Sequence, residues 1–139
     1  MRFLLDTCVL SEFMKRRPEP RVVGWAQARD QGDLFVSVVT IGELKAGIEQ
    51  MPEGARRNHF LRWLHDTILR GYANRIVDLD TQTLLRWGEI VGSARKHGRP
   101  PAILDSLIAA AALEHGMCVA TRNESDFTGW GVTIVNPWA

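Results

Sequence analysis

Arg2-Phe3-Leu4-Leu5-Asp6-Thr7 runs three apolar residues straight into a carboxylate. An apolar run without alternation predicts a strand covered on both faces, as in a parallel sheet. An acid closing such a strand falls at the carboxyl edge, where open α/β sheets gather their ligands. Asp6 therefore starts a search for other acids that the chain delivers to the same edge.

Outward from there, Thr7 is placed to cap a helix over residues 8–15, with Val9, Leu10 and Phe13 as its inward stripe. Arg16-Arg17-Pro18-Glu19-Pro20 breaks that helix, and a second covers residues 21–28. After the turn Asp30-Gln31-Gly32-Asp33, Leu34-Phe35-Val36-Ser37-Val38 reads as a second buried strand. Thr40-Ile41-Gly42-Glu43 opens a helix that ends before Pro52. A longer amphipathic helix spans residues 54–70 and stops at Gly71. A short strand at 76–79, a helix over 81–96 and the stop His97-Gly98-Arg99-Pro100-Pro101 follow. A helix over 102–115 ends at Gly116, and strands are expected at 118–121 and 132–135. This alternation predicts an α/β sandwich with a mainly parallel sheet of about five strands, in one domain over residues 1–139.

A hydrophobic content of 45% and a charged content of 24% are those of an ordinary soluble globule. No apolar run approaches the ~18 residues of a membrane span, and Asp6 interrupts any leader-like pattern at once. Cys8 and Cys118 sit in apolar surroundings and read as reduced, mostly buried thiols, so a cytoplasmic protein is expected. A net charge of +1 excludes the global basic field of a tight non-specific nucleic-acid binder. Arg outnumbers Lys 14 to 3, which suits bidentate phosphate contacts and equally suits a GC-rich coding sequence.

Four acids resist a purely local account: Asp6, Glu43, Asp105 and Asp126. In a parallel sheet all four fall at the carboxyl edge or on helix starts beside it. Asp105 stands out most, because residues 102–113 hold only Asp105 and Ser106 as polar groups. A helix apolar nearly all round is buried, and a carboxylate there needs a partner or a metal. The local alternative is a first-turn acid favoured by the helix dipole. Thr40-x-x-Glu43 fits a capping box, Asp6 an N-cap and Asp126 a turn. Clustered carboxylates repel, and a hard divalent cation relieves them; oxygen-only donors point to Mg²⁺ or Mn²⁺. His59, His65, His97 and His115 show no paired spacing, and two cysteines are too few for a thiolate site. Such clusters perform phosphoryl or phosphodiester chemistry.

The pieces Leu4-Leu5-Asp6-Thr7-Cys8-Val9-Leu10-Ser11-Glu12, Glu43-Leu44, Leu104-Asp105-Ser106-Leu107-Ile108-Ala109-Ala110, Ala120-Thr121-Arg122-Asn123 and Val135-Asn136-Pro137-Trp138 occur in order across the chain. Together they resemble the PIN-domain ribonucleases, and among these the VapC-type toxins of toxin–antitoxin pairs, in the FitB-like branch. The resemblance implies a three-layer α/β/α PIN domain and a metal-dependent endoribonuclease with Asp6, Glu43 and Asp105 as metal-binding acids. It also implies RNA, plausibly tRNA, as substrate. A VapB/FitA-like antitoxin is the implied partner, along with homodimers and toxin–antitoxin hetero-oligomers and no membrane. Thr7 and Thr121 would orient the acids, and Arg122 would reach a phosphate or serve as a surface ion-pair residue. Some relatives carry an acid directly after the Thr-Arg pair. Here that place is Asn123, with Asp126 as the stand-in three residues on. The helix over 54–70 with Trp63, and Trp87 further on, offers apolar surface for assembly or simply for the core.

Two other readings begin from the same strand. A haloacid-dehalogenase-type phosphatase needs a second Asp where Cys8 stands. A two-component receiver domain needs a lysine after a late strand, and only Lys15, Lys45 and Lys96 exist. The non-enzymatic rival is a degenerate PIN domain that only binds RNA or protein, and Asn123 is the feature that supports it.

Overall fold

The computed structural model describes Met1–Ala139. Each apolar run becomes a short strand: β1 (Phe3–Leu5), β2 (Leu34–Ser37), β3 (Ile76–Val77), β4 (Cys118–Ala120) and β5 (Ile134–Val135). They form one sheet in the order β3-β2-β1-β4-β5, and every pairing is parallel. The helices are α1 (Thr7–Phe13), α2 (Pro20–Gln27), α3 (Val38–Glu49), α4 (Ala55–Trp63), α5 (Thr81–Lys96) and α6 (Ile103–His115).

Side-chain alternation along β1 divides the core in two. Phe3 and Leu5 face Val9, Val22, Leu44 and Ile68, on the side covered by α1 to α4. Leu4 faces Ile108, Ala109 and Ala112 of α6, with α5 packed outside it. Leu4 and Leu5 are fully buried, each contributing about 1.5–3 kcal/mol of hydrophobic stabilisation. Ala109 to Ala112 are likewise fully buried; with only methyl side chains, the helix backbone can lie close to the sheet. The result is the expected α/β/α layering.

The winding direction reverses between β1 and β4. From β1 the sheet grows one way through β2 to β3, and the other way through β4 to β5. The connections after β1 and β4 therefore diverge at their carboxyl ends and leave a crevice there, the usual ligand position in open α/β sheets.

Several boundaries differ from expectation. Asp6, not Thr7, occupies the N-cap of α1, and its carboxylate accepts the Thr7 N–H. Val38 and Val39, β-branched and strand-like in sequence, are helical because Ser37 caps α3 and accepts the Val39 N–H at 3.1 Å. Thr40 is thus already inside the helix and fully buried, so the capping box with Glu43 does not form. The helix expected over 54–70 stays α-helical only to Trp63 and continues as a π-helical turn over Leu64–Leu69. The first turn of α6 is not buried: Ile103 and Leu104 are 48% and 47% exposed. Cys8 is only half-buried. Gly116 closes α6 in the left-handed conformation, as its position implies (φ 64°).

The π-helical turn leaves no room for a side chain at Gly71, where an added Cβ would collide with the Thr67 carbonyl oxygen. Gly71→Ala is expected to cost about 1–3 kcal/mol, the range for overpacking. Gly88, within α5, has nothing within 4 Å of an added Cβ, so Gly88→Ala should stabilise by about 0.5–1 kcal/mol. Urea denaturation of both variants checks the pair; a neutral Gly71→Ala would contradict the steric account.

Candidate metal centre

The register Leu5↔Ala120 brings the next residues of each chain segment together at the crevice. Asp6 N–H donates to the Ala120 carbonyl at 3.0 Å, which fixes the Asp6 backbone across β4. Its carboxylate is buried and accepts two bonds, from Thr7 N–H at 2.9 Å and from Thr121 Oγ1 at 2.8 Å. Thr121 Oγ1 itself accepts the Asn123 N–H at 3.0 Å, so its own proton is free to be donated to Asp6. The Cys8 thiol lies 3.8 Å from Asp6 Oδ2 and 3.6 Å from Thr121 Oγ1, and burial pushes its pKa up.

Glu43 reaches the same place from α3. With no capping box to occupy it, its Oε1 accepts the Thr7 hydroxyl at 3.2 Å. Thr7 thus holds two acids at once, Asp6 through its backbone and Glu43 through its side chain. Desolvation raises the Glu43 pKa, the Thr7 bond opposes this, and the charge on Asp6 raises it further.

Asp105 enters from the first turn of α6 and makes no hydrogen bond through its side chain. Burial pushes its pKa up to about 6, and the charges of Asp6, Asp126 and Glu43 add to the rise. Asp126, in the short helical turn Glu124–Phe127, is exposed but close enough for its charge to act on Asp105. None of the four acids takes part in a salt bridge. The sequence-predicted acids are therefore electrostatic neighbours with no protein cation among them.

This donor set fits a hard divalent cation. All donors are carboxylate oxygens, and their mutual repulsion is already expressed in Asp105. No three His, Cys, Asp or Glu groups converge closely enough to cage an ion by themselves. Asp6, Glu43 and Asp105 are thus neighbours without being a closed ligand set, and an ion here would take much of its shell from water.

Arg122 is engaged within the protein while about half of its side chain stays exposed. Its guanidinium lies 3.2 Å from Glu12 Oε1 and 4.3 Å from the Trp138 ring centroid, so the ion-pair alternative is the one realised. Glu12 was quoted in the sequence motif but given no role. It is 3% exposed and also accepts from Lys15 Nζ at 3.0 Å and Glu19 N–H at 3.1 Å. The Lys15 bond leads in lowering its pKa. Its place three residues after Val9, on the inward stripe of α1, was the signal that could have revealed it. Asn123 contributes its backbone N–H to the site rather than its side chain.

Comparison with known proteins places the fold in a family. The model of the PIN domain family matches residues 3–128. The chain is 36% identical to VapC ribonuclease Y4jK of Sinorhizobium fredii, across 97% of this chain and 96% of the relative. It is 35% identical to Toxin FitB of Neisseria gonorrhoeae, across 97% of each. A solved structure of FitAB bound to an IR36 DNA fragment superposes with a TM-score of 0.91 at 34% identity, covering 99% of this chain and 96% of that one.

The raised Asp105 pKa has a definite sign for the metal-free protein. Between the ordinary carboxylate range and about pH 6 the folded state binds more protons than the unfolded state, so Asp105 destabilises the fold as pH rises through that window. Asp105→Asn should therefore melt higher than the parent at pH 8 in EDTA, with the gap closing as pH falls through 6 towards 4. A gap that is absent, or that widens in acid, would contradict the repulsive cluster.

Proposed function

The chain belongs to the PIN-domain family, and we propose that it is the toxin of a toxin–antitoxin pair, an Mg²⁺- or Mn²⁺-dependent endoribonuclease. The observation that carries this reading is the cluster of Asp6, Glu43, Asp105 and Asp126 at the switch point of the sheet, with no protein cation to neutralise it. The names of the similar proteins, VapC ribonuclease and Toxin FitB, support ribonuclease and toxin roles. Residues 1–139 would form one catalytic unit acting in the cytoplasm; no helix is long and apolar enough to cross a membrane.

Asp6, Glu43 and Asp105 would hold the cation, with Asp126 as an outer acid. When bound, such an ion supplies activated water and charge relief at a phosphoryl oxygen. The chain's own residues do the rest. Thr7 and Thr121 fix the Asp6 and Glu43 carboxylates in one orientation, so little reorganisation is needed when substrate arrives. Asp105, whose carboxylate no protein donor engages, would take a proton from the attacking water at its carboxylate oxygen. In-line opening of the phosphodiester would leave 5′-phosphate and 3′-hydroxyl ends. Unstacked loops, as in tRNA, are the RNA that a protein can bend for this geometry. A VapB/FitA-like antitoxin would cover the acidic crevice and restrain the activity, within homodimeric and hetero-oligomeric assemblies.

The binding-only alternative rested on Asn123. Since that residue supports Thr121 through its backbone N–H, the side-chain amide leaves the Asp6 arrangement intact.

Asp6→Asn, Glu43→Gln and Asp105→Asn should each abolish Mg²⁺-dependent cleavage of single-stranded RNA, scored by initial rates on gels. Thr7→Val and Thr121→Val should lose about 10–100-fold, the usual cost of removing a ligand's orienting partner. Added Mg²⁺ or Mn²⁺ should raise the melting temperature of the parent and raise that of Asp6→Asn and Asp105→Asn less. Cleavage that survives the acid substitutions sinks the assignment.

A further inference from the structure

A cavity of about 860 Å³ opens beside the acid cluster. Its walls are the later part of α5, the turn that follows it, and the segment after the Glu124–Phe127 turn. Asp126 lines it and belongs also to the cluster, because its charge acts on Asp105. The volume lies within the roughly 300–1,000 Å³ of pockets that bury small organic ligands, room enough for a nucleotide.

It combines phosphate-binding guanidinium groups with a stacking ring, and its two Arg side chains are matched in number by two carboxylates. Arg86, His97 and Arg99 line it, opposed by the carboxylates Glu89 and Asp126 alone. Several cations elsewhere are committed, Lys15 and Arg122 to Glu12 and Lys45 and Arg57 to Glu49, whereas Arg16, Arg17, Arg56 and Arg62 make no ion pair. Arg99 makes no ion pair, nor do Arg95 and Lys96 just before it, while Arg86 has one partly exposed contact with Glu114 at 3.4 Å. The half-buried Trp130 completes the wall, braced edge-to-face by Phe127 with ring centroids 5.9 Å apart. Guanidinium groups beside an indole ring are what non-specific single-strand sites use: cations along the backbone and a ring for bases to stack on.

The acid cluster leaves a role for such a track. Even with a cation relieving part of their charge, four carboxylates do not themselves grip a phosphate chain, and Arg122 divides its half-exposed guanidinium between Glu12 and Trp138. Cations beyond the cluster would add to the grip on the strand. We propose that this groove binds single-stranded RNA on one side of the scissile phosphate, with Arg86 and Arg99 on phosphates and Trp130 under a base. The proposal rests on the nuclease reading above and adds where the substrate lies.

The test is fluorescence anisotropy with a fluorescein-labelled single-stranded RNA dodecamer in EDTA, paired with cleavage of the same RNA in Mg²⁺. Arg86→Ala/Arg99→Ala should weaken binding and lower the slope of log Kd against log salt by about 1.4, at about 0.7 per phosphate contact. Trp130→Ala should weaken binding about fivefold or more with the slope unchanged, the low end of a base–aromatic stack. Trp130→Phe, which keeps a ring against Phe127, should retain most of the affinity and shows that loss in Trp130→Ala is not misfolding. Arg62→Ala/Arg70→Ala, removing equal charge on the α4 side, should behave as the parent. If the groove variants bind and cleave like the parent, or the control pair loses as much as they do, the groove is not the track, and parental cleavage leaves the nuclease reading standing. A parent that neither binds nor cleaves RNA overturns both.

Discussion

The buried hydrogen bond from Thr121 Oγ1 to Asp6 Oδ2, 2.8 Å long, is the constraint on which the rest of the crevice depends. It joins the first residues beyond β1 and β4, the two strands at which the winding of the sheet reverses. It is possible only in the register Leu5↔Ala120, since a slip of one residue would turn both side chains to opposite faces. The packing of Leu4 and Leu5 into separate core layers enforces that register, so the position of the Asp6 carboxylate follows from hydrophobic alternation in the two residues before it. Thr7 then carries the order onward to Glu43, and the backbone of Asn123 sets the direction in which the Thr121 hydroxyl points.

How far this was legible in the sequence varied with the range of the forces involved. The strands, the loop around Pro100 and the cap at Gly116 are local matters of hydrophobic runs and backbone freedom, and they read correctly. Asp6 and Asp105 were visible because a carboxylate among apolar neighbours is anomalous anywhere. Glu43 was nearly explained away as a cap, because Ser37 and Thr40 offer similar hydroxyls and only tertiary packing decides between them. Val38 and Val39 lean towards strand by propensity, yet burial of Thr40 and Leu44 draws them into α3. The π-helical turn at Leu64–Leu69 has no period of its own over so few residues. Its one trace is Gly71, read simply as a stop. The tie between Glu12 and Arg122 spans 110 positions and could not be paired from one sequence.

That tie changes the electrostatics of the crevice. A carboxylate buried in α1 is costly unless fully partnered, and Glu12 has Lys15, the Glu19 N–H and Arg122 around it. Arg122 is stacked on Trp138, whose carbonyl in turn accepts from Arg21. The terminal segment, α1, α2 and the loop after β4 are thereby joined through two guanidinium groups, Arg122 and Arg21. This fixes the backbone around Thr121 and so the donor on which Asp6 relies. The same arrangement commits the Arg122 guanidinium to Glu12, and none of the four acids has an ion-pair partner in the protein.

The four acids consequently divide by how they are held. Asp6 and Glu43 are bound by threonine donors and keep their orientation whether or not anything occupies the crevice. Asp105 and Asp126 have no donor at their carboxylates, and Asp105 responds to its neighbours by holding its proton to about pH 6. A site rigid on all sides would need every carboxylate partnered, and each partner would compete with a cation or a substrate proton for the same lone pairs. A site loose on all sides would relax apart under its own repulsion. Fixing two corners through the sheet register and leaving two responsive keeps the acids together and one of them able to exchange a proton near neutrality. The fold bears the cost as an unrelieved charge at the start of α6, where exposed Ile103 and Leu104 leave water close by to moderate it.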